Sequence, residues 1–247
     1  MTDRVLEVLL DAATAVAGSL AHNQRWGLTG AGDHQYVHDT VADEAAIAVL
    51  ERAGLGVFSE ESGLHGAGKE VLVVIDPVDG STNASRGLPF WAVSLCALDG
   101  AGPMCSVVTC PPAGQCYTAV RGGGARLDGQ VLRASGETQV TSSVVAFNGY
   151  PDHHYGWAQY RAFGAAALEL CAVASGAVDA FVDASPRGLA PWDYLGAMLV
   201  CLEAGAVVHE VGGRELVLRR PGERRSLVAA GTGQLAGALL AHRRGEA

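Results

Sequence analysis

Apolar and polar residues recur along this chain with two different periods, which predicts both helices and strands. Helical spacing of apolar residues predicts helices over residues 5–20, 40–53, 164–175, 193–204 and 233–242. Short apolar runs predict strands over residues 57–58, 71–75, 90–98, 106–110, 115–120, 140–147, 180–182, 207–211 and 227–230. Strands and helices are mixed without strict alternation, so the pattern favours a layered α+β architecture.

The segments between these elements complete the predicted organisation. Residues 22–38 are polar and rich in glycine, which predicts a loop. Gly122-Gly123-Gly124 might suggest a dinucleotide-binding loop, but no helical pattern follows it, so we interpret it as a hairpin connection. We expect an N-terminal half over residues 1–147 and a C-terminal half over residues 148–247, packed as one compact unit.

Composition narrows the class of protein. The chain has 247 residues, of which 49% are hydrophobic and 17% are charged, as in a well-packed globular protein. Its formal net charge of −9 argues against a nucleic acid polymer as partner. We find neither a signal-peptide pattern nor an apolar stretch that could span a bilayer, and we expect a cytoplasmic protein without a membrane partner. The six cysteines form no C-x-x-C pair and are expected to be reduced, mostly buried thiols.

The strand predicted over residues 71–75 carries the most informative polar residues at its end. It is followed at once by Asp76, and Pro77 has no N–H with which to continue the ladder. Asp79 comes three positions after Asp76, across a bend that Gly80 allows to turn sharply. Two carboxylates held at a strand end suit a divalent cation that binds a phosphate. A solvated acidic turn would have the same residues, so the spacing leaves both interpretations open.

A wider resemblance decides between them. The sequence D-P-V-D-G-S-T-N at residues 76–83 resembles the first signature of the inositol monophosphatase family, which comprises magnesium-dependent, lithium-sensitive sugar-phosphate phosphatases. Further similar stretches follow in the family's order from about Thr40 to Ala230. The resemblance implies a layered αβαβα sandwich of the sugar-phosphatase type. It also implies lithium inhibition and a homodimer.

The resemblance assigns metal ligands to positions far apart in the sequence. F-S-E-E-S-G at residues 58–63 resembles the family's G-E-E-S, although Ser59 replaces the glycine, and it implies Glu60 as ligand supported by Glu61. P-W-D at residues 191–193 resembles the second signature; alone, it would be an ordinary helix start. Two or three Mg²⁺ ions are thereby implied, held by Glu60, Asp76, Asp79, Asp193 and the backbone carbonyl of Val78.

The same resemblance implies the residues that act on substrate and water. Thr40 and Asp43 resemble the family's T-x-x-D, whose acid pairs with the hydroxyl at Ser81, although helix capping alone would also explain both residues. The implied catalytic residues are Glu60, Asp43, Thr40 and Ser81. The implied substrate contacts are Gly80, Ser81, Thr82, Gly164, Ala165, Ala166, Asp183 and Asp193. Here Ala165 stands where the family has a hydroxyl residue.

The expected function is hydrolysis of the phosphate monoester of a small polyol or sugar by metal-activated water, with inositol monophosphate as the first candidate. Fructose 1,6-bisphosphate, histidinol phosphate and 3′-phosphoadenosine 5′-phosphate are the alternatives within the family. A haloacid-dehalogenase phosphatase is disfavoured, because it needs D-x-D and this chain has D-x-x-D. A non-catalytic metal-dependent sugar-phosphate binder is the alternative that involves no enzyme.

Overall fold

The structure is a computed structural model that describes residues 1–21, Gly27 and 36–246. Most of the loop predicted over residues 22–38 therefore lies outside the described residues, whereas Val37 and His38 belong to a helix. The α-helices of the described chain are α1 (Thr2–Ala21), α2 (Val37–Arg52), α3 (Ser81–Ser85), α4 (Ala166–Ala174), α5 (Pro191–Glu203) and α6 (Gly233–Arg244).

The strands form two mixed sheets. The first sheet has the order β2-β1-β3-β4-β5-β6-β7-β8 and the second the order β10-β9-β11-β13-β12. The first contains β1 (Gly56–Ser59), β2 (Gly63–His65), β3 (Leu72–Asp79), β4 (Ala92–Asp99), β5 (Gly102–Cys110), β6 (Gln115–Val120), β7 (Gly124–Leu127) and β8 (Gln130–Val131). The second contains β9 (Val144–Asn148), β10 (Gln159–Arg161), β11 (Ala180–Asp183), β12 (Val207–Glu210) and β13 (Leu227–Ala230).

Helices and sheets stack in five layers. Because side chains alternate across a strand, Val73 and Ile75 pack toward α1 and α2, whereas Val74 packs toward α4 and α5. In the second sheet, Ala229 likewise joins the core with α4 and α5, and Val228 packs with α6. The order is therefore helices, sheet, helices, sheet and helix, which confirms the layered α+β prediction.

The end of β3 differs from the prediction. Pro77 does not end the strand, which continues to Asp79. Asp76 pairs with Ser94 and Asp79 pairs with Ala92 on β4, and the register shifts between these two pairs. Such an irregularity tolerates a proline, because a residue inside it need not donate to the ladder. Both acids are thus fixed by strand pairing.

Other predicted elements are confirmed with shifted ends. The strands over residues 115–120 and 227–230 match β6 and β13. The interpretation of Gly122-Gly123-Gly124 as a hairpin is confirmed, since Val120 pairs with Gly124 and the carboxylate of Glu203 accepts the N–H groups of Gly122 and Gly124 at 2.8 and 2.9 Å. Residues 140–142 are a 3₁₀ turn, and β9 starts at Val144. A boundary at residue 147 would cut β9, so the proposed division into halves stays a prediction.

The sequence pattern did not predict the short strands β2, β7, β8 and β10 or the five-residue helix α3. They are too short to show a period. None of the helices in the described part of the chain has the length and apolarity required to cross a bilayer.

Candidate active site

Three carboxylates from separate elements meet at one end of the first sheet. Glu60, Asp76 and Asp193 each offer an oxygen atom, and these atoms all lie within 4.8 Å of one another. Strands β1 and β3 are parallel neighbours, and the N–H of Glu60 donates to the carbonyl of Ile75 at 3.2 Å, so Glu60 lies beside Asp76. The third acid comes from the first turn of α5. The predicted convergence of acids from distant parts of the chain is therefore present for these three residues.

The start of α5 fixes the position of Asp193. Pro191 occupies the first turn, where its missing N–H costs nothing. The carboxylate of Asp193 accepts the N–H of Ala190 at 2.7 Å, a contact that satisfies one free donor of the helix start. Arg224 is the nearest cation in an ion pair with it, with 3.9 Å between Nη1 and the carboxylate. The side chain of Asp193 retains 17% exposure, which leaves it open to a ligand.

Asp79 lies outside the close group of three and faces α4. Its Oδ2 accepts the N–H of Ala167 at 2.7 Å, so this acid caps a helix that belongs to the other half of the chain. The N–H of Val78 donates to Asp76 at 2.9 Å, and the carbonyl of Val78 accepts the Ser81 hydroxyl at 2.8 Å. The roles of Asp79 and of the Val78 carbonyl as metal ligands stay predictions.

The surroundings of the site acids disfavour their ionised form and raise their pKa values. Burial, and then repulsion from Glu60, Asp79 and Asp193, raises the pKa of Asp76 well above its usual range. Burial and repulsion from Asp193 likewise raise the pKa of Asp79.

The pKa values of Glu60 and Asp193 are raised as well. Loss of solvent around the carboxylate, with repulsion from Asp193 and Glu61, raises the pKa of Glu60 to about 8, although the residue as a whole is exposed. Burial raises the pKa of Asp193 to about 6. A cluster of hard oxygen donors whose charges repel one another suits a divalent cation, which would relieve the repulsion.

The acid that pairs with Ser81 is Asp39, and the prediction of Asp43 was wrong in this respect. Ser81 Oγ lies 2.9 Å from Asp39 Oδ1. The carboxylate of Asp43 instead accepts the hydroxyl of Ser59, and Thr40 is exposed. The cause is the start of α2, whose N-cap is Tyr36, four residues before the predicted cap Thr40. Asp39 and Asp43 are four residues apart on one helix face, so a shifted helix start exchanges their places.

The environment of Asp39 is almost closed to solvent. The residue is 2% exposed, and burial raises the pKa of its carboxylate to about 7, which the hydrogen bond from Ser81 partly opposes. His38 Nε2 lies 3.2 Å from Asp39 Oδ1. Asp39 also accepts the N–H of Tyr36 at 3.2 Å. An acid three residues into a helix is a common cap, and that signal could have identified Asp39 from the sequence.

Two predicted substrate-binding segments are in contact. Gly80 has φ of +90°, and a side chain there would meet the carbonyl of Gly164 and the Cβ of Ala165, both at 3.1 Å. The amide of Asn83 donates to the carbonyls of Phe90 and Phe163 at 2.8 and 2.7 Å. Asn83 therefore fastens the turn that contains Gly80, Ser81 and Thr82 to the segment Gly164, Ala165 and Ala166. Asn83 was not among the predicted site residues.

Asp183 lies within a network of hydrogen bonds. Its side chain is fully buried, and its carboxylate accepts hydrogen bonds from Asn148 at 2.9 Å, the Ser185 N–H at 3.1 Å and Ser226 at 2.9 Å. These bonds join the ends of neighbouring strands, and the assignment of Asp183 to substrate binding stays a prediction.

Glu169 is a buried acid of the site that sequence reasoning missed. It is fully buried on α4, and its Oε1 accepts the N–H groups of Phe163 at 2.5 Å and Gly164 at 3.2 Å. Burial raises the pKa of this carboxylate to about 7. An acid within the apolar run A-A-L-E-L-C is the sequence signal that could have singled it out.

Comparison with known proteins agrees with this geometry. The family model described as the inositol monophosphatase family matches residues 2–246. The chain belongs to the inositol monophosphatase family. The fructose-1,6-bisphosphatase/inositol-1-monophosphatase of Archaeoglobus fulgidus is 34% identical over 186 residues, which cover 72% of this chain and 71% of that protein. The inositol-1-monophosphatase of Mesorhizobium japonicum is 32% identical over 239 residues, which cover 87% and 88%.

A solved structure extends the comparison to the fold. The extragenic suppressor protein suhB from Bartonella henselae superposes with a TM-score of 0.83 at 26% identity, and the match covers 98% of each chain. Membership in the inositol monophosphatase family supports a phosphatase activity that acts on small phosphorylated substrates. The family is metal-dependent, and the group of three acids could hold such a metal.

Proposed function

We propose that this chain is a Mg²⁺-dependent phosphatase that hydrolyses the phosphate monoester of a small polyol or sugar, with water as the nucleophile. The observation that carries the proposal is the convergence of Glu60, Asp76 and Asp193 within 4.8 Å. Inositol monophosphate is the first substrate to test. A homodimer, a cytoplasmic location and inhibition by lithium are further expectations of the resemblance.

The donor set fits a hard divalent cation, because it consists of carboxylates that carry raised pKa values and face one another. In the proposal, Glu60, Asp76 and Asp193 hold the cation, with Asp79 and the Val78 carbonyl as further donors. Two or three such ions are expected. When bound, Mg²⁺ would polarise the phosphoryl oxygens and lower the pKa of coordinated water.

The chain's own residues would orient the reactants. The pair of Ser81 and Asp39 replaces the predicted pair of Thr40 and Asp43 as the group that positions water, since the Ser81 hydroxyl lies between Asp39 and the Val78 carbonyl. In this proposal Asp39 holds the hydroxyl of Ser81 in place and accepts a proton when water is deprotonated. Gly80 lies against Gly164 and Ala165, and in this proposal free backbone N–H groups of these two segments would bind phosphate oxygens.

The test is release of inorganic phosphate by the purified protein with Mg²⁺ and with EDTA. The panel contains inositol 1-phosphate, fructose 1,6-bisphosphate, histidinol phosphate and 3′-phosphoadenosine 5′-phosphate. We expect turnover that requires Mg²⁺ and is inhibited by lithium. Metal-dependent binding without turnover of any substrate would favour the non-catalytic sugar-phosphate binder. Turnover that persists in EDTA would contradict the proposed use of the three acids.

A further inference from the structure

Arg224 places a positive charge at the edge of the acid site. Its Nη1 lies 3.9 Å from Oδ2 of Asp193, and its side chain is 48% exposed. Within residues 1–21, 27 and 36–246, this is the one ion pair that includes any of the acids Glu60, Asp76 and Asp193. An arginine is not deprotonated in a protein, so the site faces a permanent cation.

Pairing of the backbone holds Arg224 in this position. The next residue, Arg225, is buried, and its N–H donates to the carbonyl of Leu189 at 2.8 Å. Its carbonyl accepts the N–H of Leu189 at 2.7 Å. The guanidinium of Arg225 also donates to the carboxylate of Glu223 at 2.7 Å. The segment that carries Arg224 is thereby tied to the residues just before α5, the helix that carries the acid.

The side chain of Arg224 has donors to spare. Its Nη1 donates to the carbonyl of Gly188 at 3.1 Å, whereas Nε and Nη2 form no hydrogen bond within the part of the chain that the structure describes. Oδ2 of Asp193 accepts the N–H of Ala190 at 2.7 Å, a much shorter contact than the 3.9 Å to Arg224. Exposed ion pairs contribute little to stability. Arg224 can therefore leave the carboxylate at small cost and donate to another partner.

The charge of Arg224 should have opposite effects on the two ligands that the site is expected to bind. Burial raises the pKa of Asp193, and the attraction of Arg224 opposes this rise, so the two charges interact. A divalent cation bound by Asp193 would meet Arg224 as a like charge and would compete with it for the carboxylate. A phosphate dianion would meet it as an opposite charge. A guanidinium suits phosphate because its N–H groups can form two parallel hydrogen bonds.

The separation allows one guanidinium to serve both partners. Oxygen ligands of one Mg²⁺ lie about 3 Å apart in octahedral coordination. A phosphate that shares a cation with Asp193 would therefore lie beside this carboxylate, and Arg224 is already 3.9 Å from it. The movement required of Arg224 is a change of side-chain rotamer, and the paired backbone of Arg225 can stay as it is.

We propose that Arg224 exchanges partners when ligands bind: it pairs with Asp193 in the metal-free site and donates to the substrate's phosphate once a cation occupies the carboxylate. The inference rests on the proposed phosphatase function and deepens it, because it names a residue that couples the binding of metal to the binding of substrate. Arg224 weakens the binding of the cation alone and strengthens the binding of phosphate to the cation-loaded site. Cation and phosphate therefore bind with positive cooperativity.

The first test measures binding by calorimetry, without turnover. In Arg224→Gln at low ionic strength, we expect the Kd for Mg²⁺ to fall about threefold to fivefold, the upper range for an exposed charge pair. The Kd for inorganic phosphate at saturating Mg²⁺ should rise about tenfold, as for a lost hydrogen bond to a charged group. The fall in the Kd for Mg²⁺ should shrink in about 1 M salt, which screens exposed charges. Arg224→Lys keeps the charge and should leave the Kd for Mg²⁺ unchanged.

Arg220→Gln is the matched control. Arg220 is an exposed arginine of the same connection between β12 and β13. Its neighbour Arg219 donates to the carbonyl of Asp99, at the end of β4 away from the acids. The control should leave both Kd values unchanged, and a shift equal to that in Arg224→Gln would overturn the proposal. An unchanged or raised Kd for Mg²⁺ in Arg224→Gln would also overturn it.

Steady-state kinetics separate this inference from the proposed function. With inositol 1-phosphate, Arg224→Gln should raise KM about tenfold and leave kcat within a few-fold of the unsubstituted protein's value. Opposite shifts of the two Kd values without turnover of any substrate would reject the proposed function and keep the exchange of partners. Turnover together with unchanged Kd values in Arg224→Gln would keep the function and overturn the exchange.

Discussion

Replacement of Asp193 by asparagine should stabilise the metal-free protein while abolishing its response to metal. In the metal-free site, the pKa of Asp193 rises from 3.8 to about 6 because of burial. At about 1.4 kcal/mol per tenfold change in proton affinity, the ionised form costs about 3 kcal/mol. The asparagine side chain would keep the bond from the Ala190 N–H through its amide oxygen and would remove the charge. The structure therefore predicts a net stabilisation of about 3 kcal/mol at pH 8, because the folded pKa of about 6 already includes the attraction of Arg224.

The pH dependence of this effect has a definite sign. Between the ordinary pKa of 3.8 and the folded value of about 6, the folded state binds more protons than the unfolded state. The stability of the metal-free protein therefore falls as pH rises through this window, and the full penalty is present above about pH 6. Asp193→Asn should thus stabilise the protein at pH 8 and change little near pH 4.

The assay is thermal unfolding in EDTA and in saturating Mg²⁺. A gain of about 3 kcal/mol should raise the Tm in EDTA at pH 8 by about 6–12 °C for a chain of this size. Mg²⁺ at 100 times its Kd should stabilise the unsubstituted protein by about 2.7 kcal/mol, and most of this gain should be absent in Asp193→Asn. Asp11→Asn, at an exposed acid of α1, is the matched control. A lower Tm in EDTA together with an undiminished response to Mg²⁺ would refute the reasoning.

Three further substitutions test the corrected site. Asp39→Asn should lower kcat about 100-fold or more because it removes the proton acceptor beside the Ser81 hydroxyl. Asp43→Asn should leave kcat within a few-fold of the unsubstituted protein's value. A larger loss of kcat in Asp43→Asn than in Asp39→Asn, measured by steady-state kinetics, would restore Asp43 as the catalytic acid. Asn83→Ala breaks two hydrogen bonds and should lower kcat. It should also lower the free energy of unfolding, measured by urea titration, by about 1–3 kcal/mol. An unchanged free energy of unfolding would show that the Asn83 amide is dispensable. Asp183→Ala should cost about 2–4 kcal/mol of stability because it removes the acceptor of three hydrogen bonds, and an unchanged free energy of unfolding in urea would contradict this; the KM of the folded variant tests the predicted substrate contact.

The parts of the site that follow from local pattern could be predicted from the sequence. The apolar run before Asp76 identifies the buried strand that carries this acid, although the strand continues to Asp79. Glu60 follows a shorter apolar run, and parallel pairing of β1 with β3 brings the two acids together. Asp193 was found because P-W-D resembles a family signature.

The parts that depend on long-range contacts could not be predicted. Burial of Asp183 depends on Asn148 and Ser226, which lie 35 and 43 residues away, and nothing in the local sequence distinguishes it from a solvated loop acid. The exchange of Asp43 for Asp39 arose because Tyr36–Asp39 and Thr40–Asp43 have the same spacing of cap and acid, and threonine is the better cap by residue type. An error of four residues at the cap places a different side chain at the same point of the helix face. Edge strands such as β10, three residues long, have too few positions to show alternation.

The central claim is spatial: Glu60, Asp76 and Asp193 surround one place that binds a divalent cation. The most direct measurement is a crystal structure of the protein soaked with Mn²⁺ in place of Mg²⁺, with anomalous scattering used to locate the metal. The account predicts an anomalous peak within coordination distance of carboxylate oxygens from all three residues, and loss of that peak in Asp76→Asn. Mn²⁺ bound at other residues, with these three carboxylates uncoordinated, would contradict it.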